Sequence, residues 1–541
     1  MVVILLGLVL YAVAYWGYAK WFDRRVIESD PKRPTPAHTY MDGVEFFPTN
    51  RYVLFGFQWK SIAALGPVVG PIVAIQWGWL PALLWILFGN IFIGWIHDYS
   101  AVVTSMRSEG ASYGPITFEL VSPRARTILV SYILFYLILI LSTFTNVVAG
   151  TFKGFPVSPV PVLITTIVGV LAGYMTYKYK VNIVYTTVIA IILMLLGIWG
   201  GIAFPLSVAP EIALDFWMFM TLLFCFVGAV VPIWVFIQPI NYLSFYLVYF
   251  GIIGMIIGIF VGAPSFNQLP GPILAGPTGP LWPMMFVTIA CGAISGWHSL
   301  IGSSVSSKQL DTEPDAVFVG GGSMLAEGIL ALVSLVTVAI LAPATIKDLK
   351  LAGAGIFIYG GSTLLQDLGI PVDVGKAYAS VMIIILAITI MHIALRISRL
   401  AMAELGGGIF RNVYLSAIIV CIVTYLVTSP HFGAPFGYIW GTFGGANQLL
   451  AGMALMIATL WLTREKRPTI YTVVPMLFMI GTTIVALLYL VSTGITSYIA
   501  DPTKIGAGIA SAINIILLIL AVFMCYEGAK AFQRIKAGIK K

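Results

Sequence analysis

The sequence predicts an all-α integral membrane protein, and its composition supports this fold class in three ways. Of the 541 residues, 60% are hydrophobic, only 9% are charged, and the mean hydropathy is +0.99. A soluble domain of this size needs about 25% charged residues to cover its surface, so lipid must cover most of this chain. Aromatic residues make up 13%, including 14 Trp, as expected where many helix ends lie at membrane interfaces. The composition excludes a water-soluble enzyme, a nucleic-acid-binding protein and a disordered chain.

The individual helices follow from apolar runs between polar or Pro/Gly breaks. A bilayer core about 30 Å thick takes about 20 apolar residues as helix, and about fifteen runs of that length are present. No cleavage pattern of small residues follows the first run, and Lys20, Arg24 and Arg25 do, so we interpret it as a retained helix. The runs lie at Val2 to Ala19, Ser61 to Gly78, Pro81 to Met106, Ile128 to Ala149, Val160 to Tyr177, Val181 to Phe204, Phe216 to Ile237, Tyr242 to Gly262, Met284 to Ser304, Ala316 to Ala342, Ala377 to Leu395, Val413 to Thr428, Tyr438 to Leu462, Thr472 to Thr493 and Ile505 to Tyr526.

The basic residues predict the orientation of these helices. Cytoplasmic loops hold most of the Lys and Arg residues of a membrane protein. With the N-terminus outside and the helices alternating, 24 of the 29 basic residues lie inside, among them Lys60 and the tail residues Lys540 and Lys541. The basic residues that remain outside are Lys153, Lys347, Lys350, Lys376 and Lys504. We therefore expect a multi-pass protein of the plasma membrane with its N-terminus outside and its C-terminus in the cytoplasm.

Two of the runs are interrupted in mid-membrane. The second contains G-P-V-V-G-P at 66–71, and the ninth contains G-A-I-S-G-W-H-S at 292–299. Proline removes a backbone donor and glycine opens a helix at little steric cost, so both segments should unwind and line a cavity. For either segment alone, close helix packing through small residues is an equally good explanation. The candidate substrate-binding residues are Gly66, Pro67, Gly70, Gly292, Ser295, Gly296, His298 and Ser299.

The positions of the two interrupted runs are compatible with an inverted repeat. They are seven helices apart, an odd number, so they cross the membrane in opposite directions. The segment around Val231-Pro232 and Gln238-Pro239 also satisfies this parity and competes for the role of second broken helix. We expect an N-terminal extra helix and loop at 1–58, a first five-helix repeat at 59–204, an intervening helix pair at 205–282, a second repeat at 283–462, and two accessory helices with the tail at 463–541.

Ionisable residues within apolar helices are costly, at least about 2.5 kcal/mol each, and are functional candidates by default. Asp98 and Glu327 lie in or near the apolar part of their helices without a neighbouring Lys or Arg, so each should be protonated or hold a cation. We predict that both take part in ion coupling, although a carboxylate that caps a helix end is the alternative. His97 precedes Asp98, His298 has a polar, serine-rich surrounding, and His392 is expected at the membrane interface.

The motifs of catalysis and of ATP hydrolysis are absent from the sequence. It contains neither H-E-x-x-H nor G-x-x-x-x-G-K-[ST], so a secondary transporter or a channel remains. A membrane sensor of nutrient state is a further alternative. A membrane-embedded hydrolase is less favoured, because His97, Asp98 and His298 could bind a metal but no i,i+4 ligand pair supports this. We expect no cofactor, with H⁺ or Na⁺ as the coupling ion.

Four long motifs resemble the carbon starvation protein family. They are D-G-V-E-F-F-P-T-N-R-Y-V-L-F-G at 42–56, G-P-V-V-G-P-I-V-A-I-Q-W-G-W-L-P at 66–81, F-V-T-I-A-C-G-A-I-S-G-W-H-S-L-I at 286–301 and F-G-G-A-N-Q-L-L-A-G-M-A-L at 443–455. The resemblance implies uptake of peptides or pyruvate by nutrient-limited cells, through a fold of two five-helix inverted repeats. It also places Asp98, His298 and Glu327 on positions where the family pattern has Asp, His and Glu.

The chain departs from the family pattern at three places. The family's G-H-H-F-A-A-I-A-G-A-G-P is G-F-Q-W-K-S-I-A-A-L-G-P here, so Phe57 and Gln58 replace two histidines and Lys60 is new. The family's S-S-G-T-T-P-K and A-P-R-D-Y-L are also altered, to S-S-V-S-S-K at 303–308 and Q-P-I-N-Y-L at 238–243. We expect a carrier of a small organic solute, a peptide or a short carboxylate such as pyruvate, whose identity and oligomeric state the sequence leaves open.

Overall fold

The computed structural model describes residues 1–429, 431 and 436–539, and it is almost entirely helical. Lys540 and Lys541 of the expected cytoplasmic tail lie outside the described residues. The helices of the first half are α1 (Val2–Ile27), α2 (Pro36–Thr39), α3 (Arg51–Ile62), α4 (Gly66–Trp77), α5 (Trp79–Met106), α6 (Tyr113–Leu120), α7 (Pro123–Gly154), α8 (Pro159–Lys178), α9 (Ile183–Ala203), α10 (Ala213–Val230) and α11 (Ile237–Gly262).

The second half begins with a short antiparallel hairpin of β1 (Ala275–Gly276) and β2 (Gly279–Pro280). Short helical turns interrupt the chain at Ser306–Lys308 and Gly408–Arg411. The helices that follow the hairpin are α12 (281–288), α13 (Ala290–Ala293), α14 (Gly296–Ser304), α15 (Val317–Ala339), α16 (Pro343–Asp348), α17 (Ala354–Gln366), α18 (Val372–Gly406), α19 (Val413–Thr428), α20 (Phe436–Arg464), α21 (Ile470–Ala500) and α22 (Ile505–Lys536).

Twelve helices of the described chain are long and apolar enough to cross a membrane, and the bent pair α3–α4 raises this number to thirteen. The predicted count of about fifteen is therefore not confirmed. The two other predicted runs are shorter as helices: α19 has 16 residues, and the run from Met284 to Ser304 is divided among α12, α13 and α14. Helix α17 is an additional 13-residue helix that the sequence analysis did not predict.

The first broken span is interrupted before the proline motif and not within it. Helix α3 ends at Ile62, residues 63–65 are the break, and α4 starts at Gly66 with a bend of 48° between the two helices. The prediction that 66–71 unwinds is wrong because Pro67 occupies the first turn of α4, where its missing N–H has no helical partner to lose. In the ninth run Ile294 and Ser295 are extended, so that segment does unwind.

Two other expectations are corrected by the fold. The segment 231–236 connects α10 to α11, so it does not interrupt a single span. Lys60, which was assigned to a cytoplasmic loop, lies in the last turn of α3 and is buried. The loop that was expected to continue to residue 60 therefore ends at Asn50, which caps α3 by accepting a hydrogen bond from the Tyr52 backbone N–H.

Loops that the basic residues assigned to the same side of the membrane meet each other in the structure. Ion pairs connect Arg33 and Arg107 with Glu313, and others join further pairs of these loops. Loops assigned to the opposite side also meet, since Asn267 and Gln268 donate hydrogen bonds to the backbone of 340–341. We call the side on which Arg33 and Arg107 pair with Glu313 the basic side. Its further ion pairs are Lys308 with Glu45, Arg126 with Glu404, Arg464 with Glu119 and Arg467 with Glu28.

Candidate functional site

The two broken spans pack directly against each other. A side chain at Gly66 would overlap Cys291 of α13, and a Cβ at Gly70 would lie 2.9 Å from the carbonyl oxygen of Thr288. Only glycine fits at positions 66 and 70 when the two broken spans are this close, because the opposing atoms belong to a neighbouring backbone or to a buried side chain. The structure brings together the two segments from which the candidate substrate-binding residues were chosen.

The unwound second break is held by Asn447 of α20. Its Oδ1 accepts hydrogen bonds from Ser295 Oγ at 3.1 Å, from the Trp297 backbone N–H at 3.3 Å and from Tyr136 Oη at 2.6 Å. Its Nδ2 donates to Cys291 Sγ at 3.2 Å. One amide thus pairs with a backbone N–H beside the break and with three side chains around it, as buried polar groups require. In this conformation protein side chains fill the space beside Ser295.

Asn447 and Asn90 are site residues that the sequence analysis did not assign. Asn90 of α5 donates to the carbonyl oxygens of Gly292 at 3.3 Å and Met324 at 2.9 Å, so it ties α5 to the second broken span and to α15. A signal for Asn447 was present, because it belongs to the F-G-G-A-N-Q motif at 443–448. Asn90 lies in an apolar run without a motif, and only its contacts reveal it.

A fully buried acid–histidine cluster joins α5, α14 and α15. It consists of His97, Asp98, His298 and Glu327, whose exposed fractions are 1% or less. Asp98 Oδ1 lies 2.7 Å from His97 Nδ1, and Asp98 Oδ2 lies 2.8 Å from His298 Nδ1. On the other side of the same ring, His298 Nε2 lies 3.0 Å from Glu327 Oε2. Three of these residues are the ones that the family resemblance singled out.

The geometry within this cluster is suited to a mobile proton. His298 Nε2 and Glu327 are close but not aligned for a hydrogen bond, and both oxygens of Glu327 lack a hydrogen-bond partner among the described residues. A neutral imidazole carries one N–H, so a proton on His298 can face either Asp98 or Glu327. Glu327 can therefore be protonated or ionised with little change of structure. Among the described residues, no group of three His, Cys, Asp or Glu has the arrangement of a metal site.

A second polar group lies where α3 meets α18. Lys60 is 2% exposed, and its Nζ donates a hydrogen bond of 2.7 Å to Thr389 Oγ1. His392 lies one turn further along α18, fully buried and stacked on Phe224 with ring centroids 5.9 Å apart. Neither ring nitrogen of His392 has a hydrogen-bond partner in the described part of the chain. The structure thus places His392 inside the helix bundle, and its expected position at the membrane interface stays a prediction.

A cavity of about 550 Å³ extends from the basic side to Lys60 and Ser61 at the end of α3. Exposed Tyr52 lies at its outer part, near Thr49 and Gln309, whose backbones are hydrogen-bonded. The candidate substrate-binding residues are not among those that line it. Its walls are mainly aromatic and hydroxyl side chains from α3, α8, α9 and α11, among them Phe57, Thr176, Tyr177, Thr186, Thr187, Asn241, Tyr242, Phe245 and Tyr246.

The chain is similar to transport proteins of known name. It is 35% identical over 359 residues to the pyruvate/proton symporter BtsT of Escherichia coli (strain K12), a match that covers 64% of this chain and half of that protein's length. It is 27% identical to the peptide transporter CstA of Bacillus subtilis (strain 168), covering 98% of this chain and 97% of the relative. A crystal structure of a mutant manganese transporter from Eremococcus coleocola has a TM-score of 0.39, with 13% identity over 88% of this chain and 95% of the other.

Family membership rests on a match that runs through most of the sequence. The family model described as carbon starvation protein CstA matches residues 1–356 and 348–486. These ranges contain both broken spans, the acid–histidine cluster and Asn447. The chain belongs to the carbon starvation protein CstA family.

Proposed function

We propose that this protein is a secondary transporter that imports a small organic solute, a peptide or a short carboxylate such as pyruvate, by alternating access in the plasma membrane. One observation carries the proposal: a cavity of about 550 Å³ reaches from the basic side to the end of α3, beside the first break. A cavity that ends at a broken helix in mid-membrane is the arrangement of a carrier open to one side. The basic side is taken as cytoplasmic, so this conformation faces inward.

The packing supports an inverted repeat with boundaries that differ from those expected from the sequence. Helix α4 packs on α15, and its counterpart α14 packs on α5. Likewise α11 packs on α18, and its counterpart α20 packs on α7. In the same way α10 and α19 each contact both α7 and α18, which pack along one another. We assign the first repeat to α3–α4, α5, α7, α10 and α11, and the second to α12–α14, α15, α18, α19 and α20. Helices α8 and α9 are then an inserted hairpin.

The acid–histidine cluster is the proposed ion-coupling site. Asp98 and Glu327 flank one imidazole, His298, on the helix that begins at the second break. A change in the angle of α14 during alternating access would alter both distances and hence the affinity of the carboxylates for a proton. This arrangement favours coupling to an ion gradient over passive conduction. The names of the relatives, a pyruvate/proton symporter and peptide transporters, agree with a coupled carrier.

The proposal is tested with purified protein in liposomes. Radiolabelled pyruvate and a labelled dipeptide are offered under an inward proton gradient, an inward sodium gradient or no gradient, and accumulation inside the vesicles is measured. A carrier gives saturable uptake that exceeds equilibrium only with a gradient, and it exchanges internal for external solute. Non-saturable flux that never exceeds equilibrium would identify a channel, and absence of flux with retained ligand binding would identify a sensor.

A further inference from the structure

Lys60 is buried beside the midpoint of α18, one of the helices long and apolar enough to cross a membrane. It is in the last turn of α3, three residues before the break at 63–65, and its contact is Thr389 on α18. Helix α18 has 35 residues, Val372–Gly406, and Thr389 is at its centre. The ammonium group therefore sits deep in the bundle, where an ionisable side chain is rare and functional by default.

The charge of Lys60 has no carboxylate to balance it among the described residues. Only one of its three N–H donors has a partner, Thr389 Oγ1, which itself donates to the carbonyl oxygen of Ile385 at 2.7 Å. Two buried acids, Asp98 and Glu327, already flank His298. Further titratable groups on α3 and on the elements packed against it include Arg51, which pairs with Asp315, and Tyr52 on α3. On α18 they include His392, Arg396 and Arg399, and on α11 Tyr242, Tyr246 and Tyr249.

Lys60 is placed where a small cation would be favoured. The residue lies in the last turn of α3, where helix carbonyls carry a partial negative charge, and its Nζ contacts a threonine hydroxyl. The C-terminal ends of helices at a break are groups with which transporters hold Na⁺ or H⁺. A lysine at this position supplies a cation that is covalently attached to the protein.

We propose that the Lys60 ammonium occupies a cation position between the first break and α18, so that this protein couples transport to protons, released from Lys60 to the basic side, and not to sodium. This inference rests on the proposed transport function and names its coupling ion.

The cavity supplies the route for that proton. Lys60 and Ser61 line its deep end. Ser61 Oγ and Asn241 Oδ1 are buried there without a hydrogen-bond partner in the described chain, and polar atoms of this kind in a cavity bind water. In the step we propose, Nζ–H breaks, the proton passes to cavity water, and a neutral amine remains on Lys60. The Trp297 indole N–H donates to the Ser61 carbonyl oxygen at 2.7 Å, which links this position to the helix that carries His298.

Gradient-driven uptake of labelled pyruvate tests the proposal, with the parent, Lys60→Ala and Lys60→Arg in liposomes. Arginine keeps the positive charge but does not release its proton at accessible pH. We expect the parent to accumulate pyruvate under a proton gradient equally in sodium and in choline. Both variants should lose accumulation by about tenfold or more while pyruvate exchange stays within about threefold of the parent, because only coupling is removed. Lys153→Ala, at an exposed lysine outside the cavity, is the matched control.

Accumulation by Lys60→Arg at the parent level, or a parent that requires sodium, would overturn the inference while leaving transport established. If the parent neither accumulates nor exchanges pyruvate, the proposed solute fails and a substrate-free assay decides the inference. Thermal melting in detergent is then compared in sodium chloride and choline chloride, because a bound ion raises the Tm. We expect sodium to stabilise Lys60→Ala but not the parent. Sodium-specific stabilisation of the parent, or none in the variant, contradicts a cation position filled by Lys60.

Discussion

Replacing Glu327 with Gln should separate coupling from transport. Both carboxylate oxygens of Glu327 lack an aligned hydrogen bond among the described residues, and the amide of Gln can donate to His298 Nε2, which lies 3.0 Å from Oε2. The variant therefore keeps a polar contact with the ring in place of the carboxylate, and we expect its stability to change by no more than about 1 kcal/mol. Gln cannot ionise, so it cannot exchange a proton with His298. The substitution isolates the proton chemistry of this position.

The size of the effect follows from the driving force. One pH unit corresponds to about 1.4 kcal/mol per proton, which supports about tenfold accumulation of a solute that moves with one proton. In liposomes with a gradient of one pH unit, the parent should approach that ratio and Glu327→Gln should remain at equilibrium. Counterflow of labelled against unlabelled pyruvate should persist, because it needs no net proton movement. Tenfold accumulation by Glu327→Gln would refute the assignment of this carboxylate to coupling.

Ser323→Ala is the matched control for this experiment. It removes a buried hydroxyl one turn earlier on α15, where Ser323 Oγ donates to the Val319 carbonyl oxygen at 2.6 Å, and it changes no ionisable group. We expect it to accumulate pyruvate as the parent does. If it lost accumulation as well, disturbance of α15 packing would explain both variants, and the result for Glu327→Gln would carry no information about protons.

Three further substitutions test the framework around the cluster. Asp98→Asn should abolish accumulation and lower stability by about 1.5–3 kcal/mol, because one of two charge-assisted histidine contacts is lost; chemical denaturation in detergent measures this. Glu313→Gln should cost about 3–5 kcal/mol, seen as a lower Tm, because it leaves Arg107 without its buried carboxylate partner at 3.0 Å. Gly66→Ala should prevent folding or exchange, because the new methyl overlaps Cys291; size-exclusion chromatography and counterflow measure this.

Two of these substitutions, Glu313→Gln and Gly66→Ala, have a matched control at a less constrained position. Glu465→Gln removes a half-exposed carboxylate on the basic side and should leave the Tm unchanged, since exposed ion pairs contribute about 1 kcal/mol or less. Gly150→Ala adds a methyl where no atom lies within 4 Å, so the protein should fold and exchange normally. A parent-like Tm for Glu313→Gln, or full exchange by Gly66→Ala, would contradict the packing described above. Full accumulation by Asp98→Asn would remove Asp98 from the coupling site.

Local chemistry explains why some features could be predicted from the sequence. Long apolar runs predicted most of the membrane-spanning helices, since helix length and hydropathy are properties of neighbouring residues. The Gly-Pro motif at 66–71 correctly marked a broken span but not the site of its break, because proline is compatible with the first turn of a helix. Helix α17 was missed because its 13 residues are too few to register as a membrane run.

Contacts between distant parts of the chain could not be predicted in this way. Asp98, His298 and Glu327 were each chosen as isolated ionisable residues, yet their shared geometry depends on three helices that meet across more than 200 positions of sequence. Lys60 was assigned to a loop because a charge normally ends an apolar run, and its partner Thr389 is 329 residues away. Asn447 stood in a recognisable motif, but its role follows only from the four groups that it binds.

The hairpin of α8 and α9 has a consequence for the proposed solute selectivity. It forms one wall of the cavity through side chains such as Thr176, Thr186 and Thr187, yet it carries no residue of the acid–histidine cluster and no part of either broken span. The shape and polarity of the cavity thus depend partly on helices outside the proposed ion-coupling site. If the cavity is the solute route that we propose, substitutions in these two helices would change which solutes enter and leave the cluster intact.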